Sequence, residues 1–141
     1  MYLAVRCGPV GQEGNGGHAH NDQLAIELQV DGEDWISDLG TYLYTPEPRL
    51  RNQYRSVASH FAPQVDPPRE PGNLQVAAFM LPETTHARCL HFSPRAFSGA
   101  HSGYGASVRR EIEIRESEIV VRDFAPPPMR LSDPEACRPH W

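Results

Sequence analysis

The chain has 141 residues, of which 39% are hydrophobic and 22% are charged, and its formal net charge is −5 at pH 7. This length is enough for one domain with a sizeable buried core. No apolar run approaches the roughly 18 residues that a membrane span needs. The negative charge argues against a nucleic-acid-binding surface, and the 11 glycines and 14 prolines argue against a helix bundle.

The first clear element in chain order is a β-hairpin. In residues 24–30 the apolar side chains occupy alternate positions, which predicts a strand with one buried face. Asp31-Gly32 is a strong signal for a tight hairpin turn, so the chain is expected to return as a second strand ending near Ser37-Asp38. Upstream, residues 2–7 alternate weakly, and the glycine-rich residues 11–17 are predicted to form a flexible loop.

Short strands separated by glycine- and proline-rich segments are predicted for the rest of the chain. No long segment keeps a period of 3.6 residues, so the pattern favours an all-β domain, an antiparallel β-sandwich or a barrel. We place this domain at residues 1–125 and a proline-rich, loosely ordered tail at 126–141. Strands are predicted at 74–81, 88–92, 108–115 and 118–124, and loops at 45–56 and 62–73.

A possible metal site is indicated by His18 and His20, which precede the first clear strand. Two histidines two positions apart in an extended chain point to the same side. Such a pair can bind one metal, or one histidine can bind the metal while the other faces a ligand. Asp38 at the end of the returning strand and His60 after the Arg-rich loop would complete a zinc shell with His20, leaving a fourth position open.

Two polar neighbours of His20 can support such a shell. A metal-bound histidine usually donates its other N–H to an acceptor, and Asn21 or Asp22 can supply one. The simpler interpretations stay open: Asp38 can hold only its own turn, and His60 can be a surface histidine. The other histidines have no supporting pattern and are taken as surface residues, namely His86, His91, His101 and His140.

Aromatic and basic residues also lie between the second and third candidate ligands. Tyr42 and Tyr44 are either core residues or an aromatic platform for sugar rings. Arg51 and Arg55 belong either to a solvated loop or to a rim that faces anions. Three cysteines, at positions 7, 89 and 137, allow at most one disulfide and leave the compartment undetermined.

In order and spacing, four segments resemble the heparinase II/III family of polysaccharide lyases. They are Gly-His-Ala-His-Asn-Asp at 17–22, Ser-Asp-Leu-Gly-Thr-Tyr at 37–42, Arg-Asn-Gln-Tyr-Arg-Ser at 51–56 and Ala-Ser-His at 58–60. Those enzymes join an N-terminal α/α toroid to a C-terminal antiparallel β-sandwich. The resemblance therefore implies that this chain is part or all of the β-sandwich domain, without its toroid.

The resemblance also assigns roles to individual residues. His20, Asp38 and His60 take the places of the ligands of a mainly structural zinc ion, and His18 that of a histidine facing the substrate cleft. Asn21 and Asp22 are predicted to lie next to this zinc site. Arg51, Arg55 and Tyr44 are predicted to bind substrate.

The activity implied by the resemblance is β-elimination at a uronic acid of an acidic polysaccharide such as a glycosaminoglycan. The family's tyrosine base lies in the toroid, so no tyrosine of this chain is assigned as the base. Neither a nucleic acid nor a membrane is expected as a partner. A periplasmic or secreted location is implied, although residues 1–7 lack the pattern of a signal peptide.

Two other interpretations are weighed against this one. A non-catalytic carbohydrate-binding or scaffolding module could keep the same metal site without cleaving its ligand. An amidohydrolase barrel also begins with His-x-His, but it needs about 250 residues and alternating helices. A cupin places its later ligands in a different order.

Overall fold

The computed structural model describes residues 1–132, so Cys137, His140 and most of the predicted tail lie outside the described residues. Residues 1–132 contain two short helices, and a 3₁₀ turn, Val57–Ser59, follows the second of them. The helices are α1 (Gly11–Gly14) and α2 (Pro48–Arg55). The strands are β1 (Tyr2–Val5), β2 (Ile26–Val30), β3 (Glu33–Ile36), β4 (Gln64–Asp66), β5 (Arg88–Ser93), β6 (Ala96–His101), β7 (Val108–Ile114), β8 (Ile119–Phe124) and β9 (Arg130–Ser132).

Two antiparallel sheets pack face to face, which confirms the predicted all-β sandwich. One sheet has the order β1-β2-β3 and the other β5-β6-β7-β8. Their facing sides share one hydrophobic cluster, in which Ile26 of β2 is buried against Phe97 of β6 and Ile112 of β7. Burial of such side chains contributes roughly 1.5–3 kcal/mol each, and this cluster joins the two layers. A third sheet pairs β4 with β9.

The first predicted hairpin is present. β2 pairs with β3, and the connecting Asp31 and Gly32 have φ angles of 51° and 85°. Positive φ at both central residues is what an Asp-Gly hairpin turn needs. In β2 the buried Ile26 and Leu28 alternate with exposed residues as predicted. The strand begins two residues later than expected because Leu24, with a φ of 63°, turns the chain before it.

In the second sheet, the strands predicted at 88–92, 108–115 and 118–124 are confirmed as β5, β7 and β8. The strand β6, which lies between β5 and β7, was not predicted. Its sequence, Ala-Phe-Ser-Gly-Ala-His, contains one large apolar residue and a glycine, so the alternation that identifies a half-buried strand is too sparse to detect.

The predicted loop at 45–56 is wrong, since residues 48–55 form α2. Pro48 stands in the first turn of the helix, where its missing N–H costs nothing. The buried face of α2 is made by Arg51 and Arg55, and two charged residues four apart do not resemble an apolar helix face. No helix among residues 1–132 is long and apolar enough to cross a membrane.

The strand predicted at 74–81 is also wrong, because this segment contains only one isolated bridge, between Ala77 and Met80. Its carbonyl groups bind arginine side chains instead of a neighbouring strand. Arg55 donates to the carbonyls of Ala77 and Met80 at 3.1 and 3.0 Å, and Arg51 donates to that of Ala78 at 2.6 Å. These bonds satisfy backbone groups that would otherwise need a strand partner.

The loop predicted at 62–73 contains β4, and part of the tail predicted at 126–141 is ordered as β9. In this short ladder Val65 lies opposite Leu131. Val65 is buried with Tyr104 and Val108, and Leu131 packs against the same cluster. The apolar contact explains why these residues leave the expected loop and tail conformations.

Candidate functional site

Three irregular segments meet beside β2, and each carries predicted site residues. They are residues 17–22, which precede the strand, residues 37–41, which follow β3, and residues 57–61, which follow α2. Backbone bonds fix the first and the third: the N–H of Asn21 donates to the carbonyl of Arg55 at 2.9 Å, and that of Ile26 to the carbonyl of Phe61 at 3.3 Å. The hairpin and α2 thus bring together segments that are distant in sequence.

The tightest contact among the predicted ligands joins Asp38 to His60. Asp38 Oδ2 and His60 Nδ1 lie 2.6 Å apart, and the His60 side chain is fully buried. The other carboxylate oxygen of Asp38 accepts the N–H of Gly40 at 2.6 Å, so Asp38 also holds its own turn. His60 is therefore not a surface histidine, and its Nε2 is buried with no hydrogen-bond partner among the described residues.

His20 lies next to this pair. Its ring centroid is 5.3 Å from that of His60, and its Nε2 is 3.3 Å from Thr41 Oγ1. Burial, with a smaller effect from His60, lowers the pKa of His20 to about 4. His20 is thus neutral near pH 7, which is the form of imidazole that binds metals.

Asp38 supplies the negative charge of the cluster. Burial alone would raise the pKa of its carboxyl group, but the hydrogen bond and charge of His60 and the N–H of Gly40 outweigh burial and bring the pKa below its ordinary value. Asp38 is therefore an ionised carboxylate in direct contact with the imidazole of His60.

The chemical types of these donors, two imidazoles and one carboxylate, fit zinc. Zinc is bound by imidazole nitrogens and carboxylate oxygens in sites of four ligands. Nε2 of His60 is a buried atom able to bind a metal, and it has no hydrogen-bond partner within residues 1–132. A buried polar atom without a partner is costly. Within residues 1–132, however, no three His, Cys, Asp or Glu side chains form a group arranged to hold a metal ion. The three predicted ligands are neighbours, but they do not form a ready-made shell.

His18 is exposed at the mouth of the same region. It shares a cavity of about 380 Å³ with His20, Asp22 and Asp38. Its ring packs edge-on against Tyr44 at a centroid distance of 5.7 Å and is tilted against Phe79 at 5.0 Å. Its φ of 58° is uncommon for a residue other than glycine, so the chain bends sharply to present this imidazole.

The three residues predicted to bind substrate differ in exposure. Tyr44 is exposed, but Arg51 and Arg55 are completely buried. Arg55 donates to the carbonyl of Ala19 at 3.1 Å in addition to the 74–81 segment, and the Arg51 guanidinium lies 4.5 Å from the ring centre of Phe79. Because both guanidinium groups are buried and bonded to backbone carbonyls, they stabilise the fold and are not exposed to a substrate.

The two predicted neighbours of the metal site have other partners. The side-chain amide of Asn21 donates to Glu70 Oε2 at 2.6 Å and to the carbonyl of Gly72 at 2.9 Å. Asp22 Oδ1 lies 3.5 Å from Arg6 Nε, and burial raises the pKa of Asp22 despite the guanidinium. Neither side chain is hydrogen-bonded to a candidate ligand.

Sequence reasoning missed two residues of this region. Thr41, whose hydroxyl contacts His20, stands in the quoted 37–42 segment, which was the available signal. Glu70 accepts from Asn21, from the hydroxyl of Ser56 at 2.5 Å and from the N–H of Val57 at 3.0 Å. It connects the segment that carries His20 to the one that carries His60, and no motif marks it.

Comparison with known proteins identifies the family. The Heparinase II/III-like, C-terminal family matches residues 1–129, so the chain belongs to this family. No curated protein matches the sequence significantly.

Solved structures share the fold. A heparinase III with methylated lysines has a TM-score of 0.64 and 20% identity over 86% of this chain. The heparan sulfate lyase HepC from Pedobacter heparinus has the same TM-score and identity over 87% of this chain. The chain corresponds to 18% of the length of either protein.

Proposed function

We propose that the chain is the β-sandwich portion of a polysaccharide lyase that cleaves uronic-acid-containing polysaccharide by β-elimination. The family supports a lyase. The observation that carries the proposal is the cavity that brings His18 together with His20 and Asp38, where His60 is bonded to Asp38. Heparan sulfate, the substrate in the name of one similar structure, is one candidate polymer.

In this reaction a base removes the proton on C5 of the uronate, and negative charge builds up on the adjacent carboxylate. The C4–O bond to the neighbouring sugar then breaks as a C4=C5 double bond forms, and the leaving oxygen takes up a proton. A donor at that carboxylate stabilises the charge, and a base positioned at C5 completes the site. His18 is the residue of this chain that we assign to the substrate. It is exposed at the cavity and held by Tyr44 and Phe79, so its imidazole can donate to the carboxylate or move a proton.

We further propose that His20, Asp38 and His60 hold a structural zinc ion. When bound, the ion would supply a fixed link between the three segments. His20 is directly linked through Ala19 to His18, so an ordered His20 also orders the residue that meets the substrate. The tyrosine base would come from an α/α toroid domain, and the location would be periplasmic or secreted, as in the resembling lyases.

The test joins this chain to an α/α toroid domain of the family and adds uronic-acid polysaccharides. Cleavage is followed by the ultraviolet absorbance of the unsaturated uronate, and zinc is measured in the same protein. We expect absorbance to rise with the parent and not with a His18 variant. Binding of the polysaccharide without any cleavage by the joined protein would contradict the proposal and favour a carbohydrate-binding module.

A further inference from the structure

Two cysteines approach the same point of the sandwich from opposite sheets. Cys7 directly continues β1, whose Leu3 and Val5 point into the core, and Cys7 packs against the same cluster. Side chains two apart in an extended chain share a face. The N–H of Leu24 donates to the carbonyl of Arg6 at 2.8 Å, so Cys7 lies beside Leu24 on the core side.

Cys89 reaches the core side from β5. It lies directly opposite Gly99 of β6, and residues paired across two strands share one face of the sheet. The face of Gly99 is turned to the other sheet, because a Cβ atom placed on Gly99 would lie 2.7 Å from Leu24 Cδ2. Cys89 therefore starts from the face of its sheet that is turned towards the sheet of Cys7.

No ladder joins β1 to β5 at this margin of the sandwich, since each is the terminal strand of its own sheet. A largely apolar cavity of about 320 Å³ lies between them, and Cys7 and Cys89 both line it. Cys89 is exposed and Cys7 is half-buried. Burial raises the pKa of the Cys7 thiol, and Cys89 raises it further, which is consistent with two thiols close together.

We propose that Cys7 and Cys89 are an oxidisable pair whose disulfide fastens the three-stranded sheet to the four-stranded sheet at this open margin. The inference does not depend on the proposed lyase activity. The bond would enclose residues 7–89, and all three segments of the candidate site lie within that loop. Closing a long loop stabilises the folded state by restricting the unfolded chain.

The oxidant is a small-molecule disulfide such as oxidised glutathione. The exposed Cys89 thiolate attacks one sulfur of that disulfide, releases one thiol and leaves a mixed disulfide on Cys89. The Cys7 thiolate then attacks the Cys89 sulfur and releases the second thiol. Two protein thiols lose two protons and two electrons, and one glutathione disulfide becomes two thiols.

The experiment oxidises the full chain with glutathione disulfide and maps its peptides under non-reducing conditions by mass spectrometry. We expect one linked peptide pair containing Cys7 and Cys89, lighter by two hydrogen atoms than the separate peptides, and a higher melting temperature that a reductant reverses. Cys137→Ser should leave both results unchanged, whereas Cys7→Ser and Cys89→Ser should abolish both. The same oxidation in urea should give mixed pairings, because the preference comes from the fold.

Three outcomes would overturn the proposal. One is a glutathione adduct on Cys89 with a reduced Cys7 in the folded protein. Another is pairing of either residue with Cys137, and the third is a cross-link between two chains. The mapping of the unaltered chain needs no variant, so poor folding of a serine variant does not weaken the test.

Discussion

His60 and Asp38 are joined side chain to side chain at 2.6 Å although they are 22 positions apart in the sequence. The second ring nitrogen of His60 is buried and has no hydrogen-bond partner in the part of the chain that the structure describes. His20 lies beside the pair, with its ring centroid 5.3 Å from that of His60. A compact cluster of this composition is the physical basis for proposing a zinc ion here.

Replacing His20 with Ala should remove the effect of zinc on stability. We expect the parent to melt at a lower temperature after chelation, because a bound metal adds its binding energy to folding. His20→Ala should contain little zinc and melt at one temperature with or without chelator. Metal analysis and thermal melting check this. The matched control is His91→Ala, an exposed histidine on β5.

If His20→Ala retains zinc as the parent does and its melting temperature still responds to chelation, the proposed ligand set is incorrect. Cavity formation alone would lower the melting temperature of His20→Ala equally in both conditions. The difference between the two melts therefore separates metal loss from simple loss of packing.

His18→Asn should separate chemistry from metal binding. Asparagine tolerates the left-handed backbone at this position, where φ is 58°, so the fold should persist. We expect unchanged zinc content and melting temperature, with cleavage by the toroid-joined protein reduced by about 100-fold or more, as for loss of an acid–base group. Cleavage within a factor of two of the parent would remove His18 from the mechanism.

Arg55→Lys should destabilise the protein. The guanidinium of Arg55 donates to the carbonyls of Ala19, Ala77 and Met80 at 3.0–3.1 Å, and one ammonium cannot reproduce this planar arrangement. Loss of the buried bond to Ala19 leaves a buried carbonyl unsatisfied, at a cost of about 1–3 kcal/mol. Urea unfolding measures the loss, and Arg49→Lys on the exposed side of α2 is the control. An unchanged midpoint for Arg55→Lys would contradict the structural role of Arg55.

Asp123→Ala should cost about 3–5 kcal/mol of unfolding free energy, because it leaves a buried charge without its partner. Arg110 is completely buried and forms two bonds with Asp123, at 2.8 and 2.7 Å. Denaturant titration gives the value. Arg115→Gln alters an exposed ion pair with Glu113 and should have little effect, since such pairs are screened by water. Equal effects of the two changes would refute the argument.

His101 should make the protein less stable in mild acid. Burial, with a smaller effect from Arg110 that outweighs the opposing effect of Asp123, lowers its pKa from 6.5 to about 4. Between these values the unfolded chain binds a proton that the folded chain does not, so stability falls as pH drops from 6.5 towards 4. The full effect is about 3 kcal/mol.

The measurement is the free energy of unfolding between pH 4 and 7 for the parent and for His101→Gln. The glutamine variant should lose less stability over this range, because it has no proton to bind. His86→Gln, at an exposed position, should follow the parent. Parallel curves for the parent and His101→Gln would exclude His101 as the cause.

Strands could be predicted where apolar and polar side chains alternate, because this alternation shows which face of the strand is buried. In β2 the alternation of Ile26 and Leu28 with exposed residues sets the strand, and Asp31-Gly32 sets the turn. The same principle failed for β6, whose inward residues include Gly99 and His101. Neither is recognisably apolar, so their burial follows only from the sheet packed above them.

The candidate site, like the strands, could be predicted only where a local sequence pattern marks it. The spacing of His18 and His20 and the motif around Asp38 identified the candidates in the sequence. Their convergence depended on α2, whose buried arginines bind backbone carbonyls of residues 77–80. A charged residue that is satisfied by distant carbonyls gives no local pattern, and for this reason α2 was predicted as a loop.

By itself, the sequence determined an all-β domain through local periodicity. Its short motifs determined the family resemblance, which implied the sandwich and the candidate ligands. Only the tertiary structure decided that His60 is buried against Asp38, that Arg51 and Arg55 face inward, and that Cys7 and Cys89 line one cavity. These relationships join residues far apart along the chain. They are set by how the two sheets pack and by which distant carbonyls satisfy buried polar groups, and neither is encoded in any single segment.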